Sequence, residues 1–228
     1  MKDIVFISAS PKINEHSVSK EFLDMAGSHI NGEVFRKTFI DVRKSVSDHK
    51  LLEAFETLSK ADVIIISFPL YVFCIPGLLT RFLVDYYNYY TASGLVKNKV
   101  KVYAIVNCGF PEPEINLEAV RVINSFSQHI NAEFRFGVLI GGGPMMIAAK
   151  NAPFMKKAVQ KLHDAFSSIV TDINHESSDK IEPIYIDFDF LFLRRFYLFM
   201  GGRGWIKLAR KNRLQKKDLY KKPYRLNE

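Results

Sequence analysis

Residues 4–20 read "IVFISASPKINEHSVSK". The stretch opens with four apolar residues, Ile4–Ile7, passes through Ser8, Ala9, Ser10 and Pro11, and resumes with helix-compatible residues after Ser17. Four apolar residues without alternation are too few for a helix and read as a strand covered on both faces. The serines and the proline end it, and a helix-length segment follows over about residues 16–30. Two readings of the turn stand side by side. The hydroxyls of Ser8, Ser10 and Ser17, with the N–H groups that open the helix, could surround a phosphate, and Lys12 or His16 could add charge. Equally, the serines could cap the helix and do nothing else.

Working outward, the same grammar recurs. Short runs rich in Ile and Val at 63–68, 100–106 and 134–140 read as buried parallel strands, and 33–40 as a weaker strand in an outer position. Helix-length segments lie at about 49–60, 77–91, 116–131 and 152–173. Five βα units with right-handed crossovers make a doubly wound α/β sandwich, expected over residues 1–175. Beyond it the pattern changes to "YIDFDFLFLRRFYLFM" and a basic tail, so residues 176–228 are expected to form a C-terminal extension.

Composition supports one globular body: of 228 residues, 48% are hydrophobic, enough to fill a core. Met1 and Lys2 precede an acid and a strand-length run, unlike a signal peptide. No stretch reaches the roughly 18 uncharged apolar residues of a spanning helix. The two cysteines, Cys74 and Cys108, lack ligand spacing, and a reduced, cytoplasmic protein is expected. Charge is unevenly divided. Residues 203–228 carry ten Lys/Arg against Asp218 and Glu228, while 1–202 hold 22 bases and 22 acids. The body is neutral and the net charge of +8 belongs to the tail.

In a doubly wound sheet, ligands bind beyond the carboxyl ends of the strands. There is no G-x-x-x-x-G-K-[ST], and no G-x-G-x-x-G after the first strand, which argues against an NTPase and a Rossmann dehydrogenase. "GGGP" at 141–144 reads as a tight turn before the last body helix. The third loop, "SFPLYVFCIPGLLTRFLVDY" (67–86), leaves its strand through Pro69, presents Tyr71 and Phe73, and re-enters a helix after Pro76 and Gly77. Aromatics between stiffening prolines can cover a flat ring, or can simply complete the core. The fourth loop, "NCGFPEPE" (107–114), offers Gly109 where a backbone could approach a ring, with Cys108 read as a small apolar filler.

Taken together these loops resemble the flavodoxin-like NAD(P)H-dependent FMN reductases. Their first loop commonly reads G-S-P-R-x-x-G-N-[ST], and here it is Ala9-Ser10-Pro11-Lys12-Ile13-Asn14-Glu15-His16-Ser17. Their third commonly reads P-L-Y-x-x-x-x-P-A, and here it is Pro69-Leu70-Tyr71 followed by Pro76-Gly77. Glu15 and His16 depart from the family's Gly and Asn. The resemblance covers about residues 1–175 and implies a flavodoxin-like fold with a five-stranded parallel sheet in the order 2-1-3-4-5. It implies FMN as cofactor and NADH or NADPH as co-substrate. Ser10, His16, Ser17 and Val18 would hold the FMN phosphate. Pro69, Leu70, Tyr71, Val72 and Phe73 would line one side of the isoalloxazine, and Cys108 and Gly109 would lie near its edge. The clustered cysteines of the iron–sulfur members are absent, which excludes such a cluster. The flavin would do the chemistry, so no residue is expected to be catalytic or to bind a metal. The implied activity is an oxidoreductase passing electrons from NAD(P)H to a small acceptor such as a quinone, a nitro compound or free flavin. A flavodoxin-type electron carrier and a binding module that has lost FMN remain as alternatives.

The tail mixes its ten cations with Trp205, Ile206, Leu208, Leu214, Leu219, Tyr220 and Tyr224. It could be an extension packed on the body or on a second subunit of a homodimer. It could be an interfacial segment on an anionic membrane surface. Nucleic acid, the third partner class, is the least favoured.

Overall fold

The structure is a computed structural model that describes residues 1–12, 16–94, 99–175, 179, 181–187 and 191–222, with only the backbone of 191–194. Glu15, Ile13 and Asn14 of the first loop, and Tyr224 and Arg225 of the tail, lie outside the described residues.

Six parallel strands form one sheet: β1 (Lys2–Ser8), β2 (Phe35–Asp41), β3 (Val63–Pro69), β4 (Lys101–Asn107), β5 (Glu133–Ile140) and β6 (Ile184–Ile186). Their order is β2-β1-β3-β4-β5-β6, and every pairing is parallel. Helices α1 (Val18–Ser28), α2 (Val42–Ser47), α3 (Leu51–Ser59), α4 (Gly77–Ala92), α5 (Leu117–His129), α6 (Gly143–Ala148) and α7 (Lys156–Asn174) connect them. The uninterrupted apolar runs are the central strands: Val63–Phe68 and Val102–Asn107 are buried throughout, because helices cover both faces. β2 pairs only with β1 and exposes part of its length, as its weaker pattern foretold.

The sheet has six strands, not the expected five. β6 pairs with Val138–Ile140, and the Gly141 N–H donates to the Ile186 carbonyl at 2.9 Å. Three residues are too few to show a period, and these stand at the head of an aromatic-rich run that belongs to another element. The first compact unit accordingly runs Met1–Asp187, and Phe188–Glu228 form the second.

At the amino end of the sheet a buried polar cluster fastens α7. Arg135 donates twice to the Asp172 carboxylate, each at 2.8 Å, and the Tyr103 hydroxyl donates to it at 2.6 Å. Burial alone would raise the Asp172 pKa, but the hydrogen bonds from Arg135 and Tyr103 and the nearby Lys101 outweigh it and hold the carboxyl below its ordinary value. The cluster is structural: it stands at the end of the strands away from the ligand-bearing loops.

The second unit holds α8 (Leu191–Lys211) and a 3-10 segment, Lys216–Tyr220. Among the described residues no helix is long and apolar enough to cross a membrane.

Candidate functional site

The loops after β1, β3 and β4 meet in a cleft of about 150 Å³ at the carboxyl edge of the sheet. Its floor and one end come from the opening loop: Ser10, Lys12, and Val18 and Ser19 in the first turn of α1. Local bonds place this turn. The Ser67 hydroxyl donates to the Ser19 carbonyl at 2.8 Å, and the Ala9 N–H donates to the Ser67 carbonyl at 3.0 Å. The first N–H groups of a helix have no partner within it. Ser17 occupies the N-cap and accepts the Lys20 N–H at 3.2 Å. Val18 and Ser19, earlier in the turn, line the cleft at the positive end of the helix, where N–H groups have no acceptor within the helix itself.

The opposite wall is backbone-rich. Pro69, Leu70 and Tyr71 follow β3, and Asn107, Cys108 and Gly109 close β4. The Leu70 N–H donates to the Asn107 carbonyl at 2.8 Å, so the two loops advance in register past the ends of their strands. Pro144, at the start of α6, completes the lining. The glycine-rich turn is the expected tight turn, and it also supports this wall. Gly142 has a φ of 56° and donates to the Phe110 carbonyl at 2.6 Å, while the Gly143 N–H donates to the Cys108 carbonyl at 2.9 Å. A Cβ on Gly141 would stand 2.2 Å from the Pro111 carbonyl oxygen, so only glycine admits that approach.

Of the residues singled out in the sequence, Ser10, Val18, Pro69, Leu70, Tyr71, Cys108 and Gly109 line this one cleft. His16, Ser17, Val72 and Phe73 do not. His16 contacts the Glu21 carboxylate through Nε2, and Ser17 spends its hydroxyl on the helix cap, sharing it with Ser19 at 3.3 Å. Val72 and Phe73 form the tip of a two-residue turn. Tyr71 and Cys74 exchange both backbone hydrogen bonds at 2.9 Å, and the intervening residues take φ values of 49° and 60°. Positive φ at both positions is the type I′ hairpin geometry, which favours Asn and Gly. A β-branched residue there is a conformational outlier of the kind that collects at ligand sites. Phe73 stacks on Phe110 of the β4 loop, with ring centroids 5.8 Å apart and planes inclined by 20°.

Cys108 behaves as a filler. It is buried, its thiol donates toward the Phe110 carbonyl at 3.3 Å, and Asn116 donates to its sulfur at 3.5 Å. Burial pushes the thiol above its ordinary pKa, against the opposite pull of those hydrogen bonds, which leaves it protonated and a poor nucleophile. What the loops contribute to the cleft at Cys108 is backbone.

Sequence reasoning missed Asn107, Ser19 and Pro144. Asn107 carried a signal: it is a polar residue ending an otherwise apolar central strand, where a side chain reaches the carboxyl edge. It is buried and donates to the Phe68 carbonyl at 3.3 Å. Ser19 and Pro144 carried none, because each lines the cleft only through the crossing of its helix over the sheet.

A larger hollow of about 610 Å³ lies beside β2 and α2. It is not a converging donor set. Asp41 caps α2 by accepting the Lys44 N–H at 3.0 Å, and Lys20 pairs with Asp24 at 2.6 Å. Size favours this hollow and chemistry favours the smaller cleft, where three loops aim polar backbone at one space.

No protein-family model matches the sequence, and no curated protein does either. Solved structures do resemble it. An NADH:FMN oxidoreductase in its apo form shares 20% identity with a TM-score of 0.54, covering 74% of this chain and 90% of its own. An NAD(P)H:quinone oxidoreductase from Methanothermobacter marburgensis shares 14% with a TM-score of 0.53, over 77% and 98%. The FMN-dependent NADH-azoreductase from Bacillus anthracis str. Ames Ancestor, solved with FMN, shares 17% with a TM-score of 0.52, over 77% and 100%. At these identities the likeness is one of fold, and the fold is flavodoxin-like.

Proposed function

We propose that the protein is an FMN-dependent oxidoreductase that takes reducing equivalents from NADH or NADPH and passes them to a small acceptor. The supporting observation is convergence. The N-terminus of α1, Ser10 and Lys12 meet the backbone walls 69–71 and 107–109 in one cleft. An anion fits the first end, because N–H groups, a hydroxyl and a lysine stand there and, among the described residues, no carboxylate lines it. A flat heteroaromatic ring fits the second, where a proline and backbone amides present a face without bulk. The three neighbours named above carry FMN or nicotinamide chemistry in their names, and resemble this chain in fold.

FMN, when bound, supplies the hydride-accepting ring. The chain's own residues bind and orient. Ser10, Val18 and Ser19 hold the phosphate end through hydroxyl and backbone N–H groups, with His16 and Ser17 setting the start of the helix. Pro69, Leu70 and Tyr71 form one wall, and Cys108 and Gly109 the facing edge, with the Val72–Phe73 turn beyond the wall. The cleft of about 150 Å³ is smaller than the roughly 300–1,000 Å³ of small-molecule sites. The cleft would therefore seat part of the cofactor, with the remainder lying along its open edge. Acceptors in keeping with an open, shallow edge are quinones, nitro or azo compounds and free flavin.

The test is optical. Purified protein supplied with FMN should retain a visible flavin band through gel filtration, bleach under anaerobic NADH or NADPH, and recover on adding a quinone. Reduction by dithionite but by neither nicotinamide would make the protein an electron carrier. Failure to retain FMN would overturn the assignment altogether.

A further inference from the structure

The second compact unit carries a surface that flavin chemistry does not use. On α8, Leu198, Phe199, Gly202, Trp205 and Ile206 recur at the spacing of one helix face, and Leu219 and Tyr220 of the 3-10 segment stand beside them. Together they wall an apolar groove of about 440 Å³. Trp205 is 67% exposed, Phe199 59%, Leu198 54% and Tyr220 73%. Contiguous exposed aromatics of this size mark an interaction surface.

A second face of the same helix carries Arg203, Lys207, Arg210 and Lys211, at i, i+4, i+7 and i+8, in the carboxyl half. In the amino half Phe196 and Met200 stand on that side and Arg195 on the apolar one, so the two stripes separate only from about residue 202 onward. At 3.6 residues per turn the two faces are centred roughly 120° apart. Apolar and cationic stripes therefore adjoin, and the Arg203 guanidinium lies 5.5 Å from the centre of the Phe199 ring at their border. Gly201, Gly202 and Gly204 lie inside the unbroken helix, and a Cβ at each would meet nothing within 4 Å among the described residues. No neighbour demands these glycines, and they weaken the helix in water.

We propose that α8 and the Lys216–Tyr220 segment dock on the surface of an anionic lipid bilayer. The apolar groove would enter the headgroup boundary and the cationic stripe would meet lipid phosphate. Charge selects this occupant. A second copy of the chain would bring another tail of the same sign, with +8 on each and a neutral body offering nothing to offset it. Nucleic acid would satisfy the cations and could stack on Trp205 or Tyr220, but it would leave the aliphatic Leu198, Ile206 and Leu219 facing water. A bilayer answers both stripes at once.

Trp205 is the sole tryptophan, so intrinsic fluorescence reports this helix directly. Full-length protein mixed at low salt with vesicles of phosphatidylcholine and phosphatidylglycerol should co-sediment, with Trp205 emission shifted to the blue. Pure phosphatidylcholine should bind far less, and salt should release the protein. Changing Arg203→Gln, Lys207→Gln and Arg210→Gln together should weaken partitioning about a hundredfold, at about fivefold per charge. Changing Leu198→Asp with Ile206→Asp should abolish the blue shift. Both variants alter the second unit only, so flavin retention and nicotinamide oxidation should stay at parental levels. Failure of docking is thereby separated from failure of the flavin assignment. No sedimentation and no shift with anionic vesicles would overturn the proposal. So would a lipid-independent blue shift that grows with protein concentration, which indicates a second copy. Retention by an oligonucleotide in preference to vesicles would overturn it as well.

Discussion

The turn at Tyr71–Cys74 permits a test in which stability and binding move in opposite directions. Val72 is 92% exposed and touches no core, yet its φ is 49°. Left-handed backbone costs an L-residue with a Cβ roughly 1–2 kcal/mol, and β-branching puts valine at the upper end. Asparagine tolerates that region. Val72→Asn removes no buried apolar area and should stabilise the fold by about 1 kcal/mol, a rise in Tm of about 2–4 °C for a chain of this size. Phe73→Gly relieves φ strain as well, but it loses the Phe110 stack, worth about 0.5–1.5 kcal/mol, and adds the unfolded-state freedom of glycine. Its stability should stay within about 1 kcal/mol of the parent. If the Phe73 ring covers the flavin, FMN affinity should fall severalfold in Phe73→Gly while Val72→Asn keeps it. Thermal denaturation read by circular dichroism gives the first quantity, and flavin fluorescence titration gives the second. A Val72→Asn protein no more stable than the parent would refute the strain argument. Unchanged FMN affinity in Phe73→Gly would refute the role of the turn in binding.

Further expectations concern single positions. Ser10→Ala should leave stability nearly unchanged, because among the described residues the hydroxyl accepts only a long bond from the Lys12 N–H at 3.4 Å, but should weaken FMN binding about tenfold or more in a titration. Ser17→Ala should cost about 1 kcal/mol in denaturant unfolding through loss of the α1 cap, so the pair separates capping from anion binding. Gly141→Ala places a methyl against the Pro111 carbonyl and should destabilise by about 3 kcal/mol in the same assay. Asp172→Asn removes one of the two carboxylates paired with the buried Arg135, leaving Glu133, and should cost about 1.5–3 kcal/mol in urea unfolding. Because the folded Asp172 carboxyl is held below its ordinary pKa, its contribution is complete above about pH 4 and is lost as pH falls through the depressed value. The wild-type loss of stability in acid should accordingly shrink in Asp172→Asn.

Much of this was legible because the fold repeats one simple signal. Uninterrupted Ile and Val runs bounded by turn residues found β1, β3, β4 and β5, and the weaker alternation of residues 33–40 marked the edge strand β2. β6 was not legible, since Ile184–Ile186 pair by backbone geometry with β5 and leave no period behind. Within the cleft, Ser10, Pro69, Tyr71 and Gly109 could be found because residue type and loop position coincide. His16 and Ser17 satisfy the same pattern, but an acid one turn on, Glu21, engages the first, and the helix start engages the second. Such local partners depend on side-chain direction, which spacing alone does not determine. The stack of Phe73 on Phe110 joins two loops 37 positions apart and had no local trace.

The way the cleft is held suggests where its sensitivity lies. Each carboxyl-edge loop is tied by a backbone bond to the next strand's end: Leu70 to Asn107, Cys108 to Ile140, Gly141 to Ile186, at 2.8, 3.1 and 2.9 Å. These bonds run in one direction across the sheet, from β3 through β4 and β5 to β6. Side chains contribute little to the chain of contacts, so most side-chain changes along it should be absorbed. Backbone changes should not be. A proline at Gly141 would remove one link and take from the Ile186 carbonyl the N–H it accepts, a cost of about 1–3 kcal/mol besides any clash, whereas at Cys108 the Ile140 carbonyl would keep the Asn116 amide as a donor at 3.4 Å. The short strand β6, which looks marginal by its length, is the terminal anchor of that series. Its loss would release Gly141, and with it the Gly142 and Gly143 bonds that hold the Phe110 and Cys108 carbonyls. The part of the sheet that the sequence showed least is thus connected, link by link, to the wall against which a flavin ring would rest.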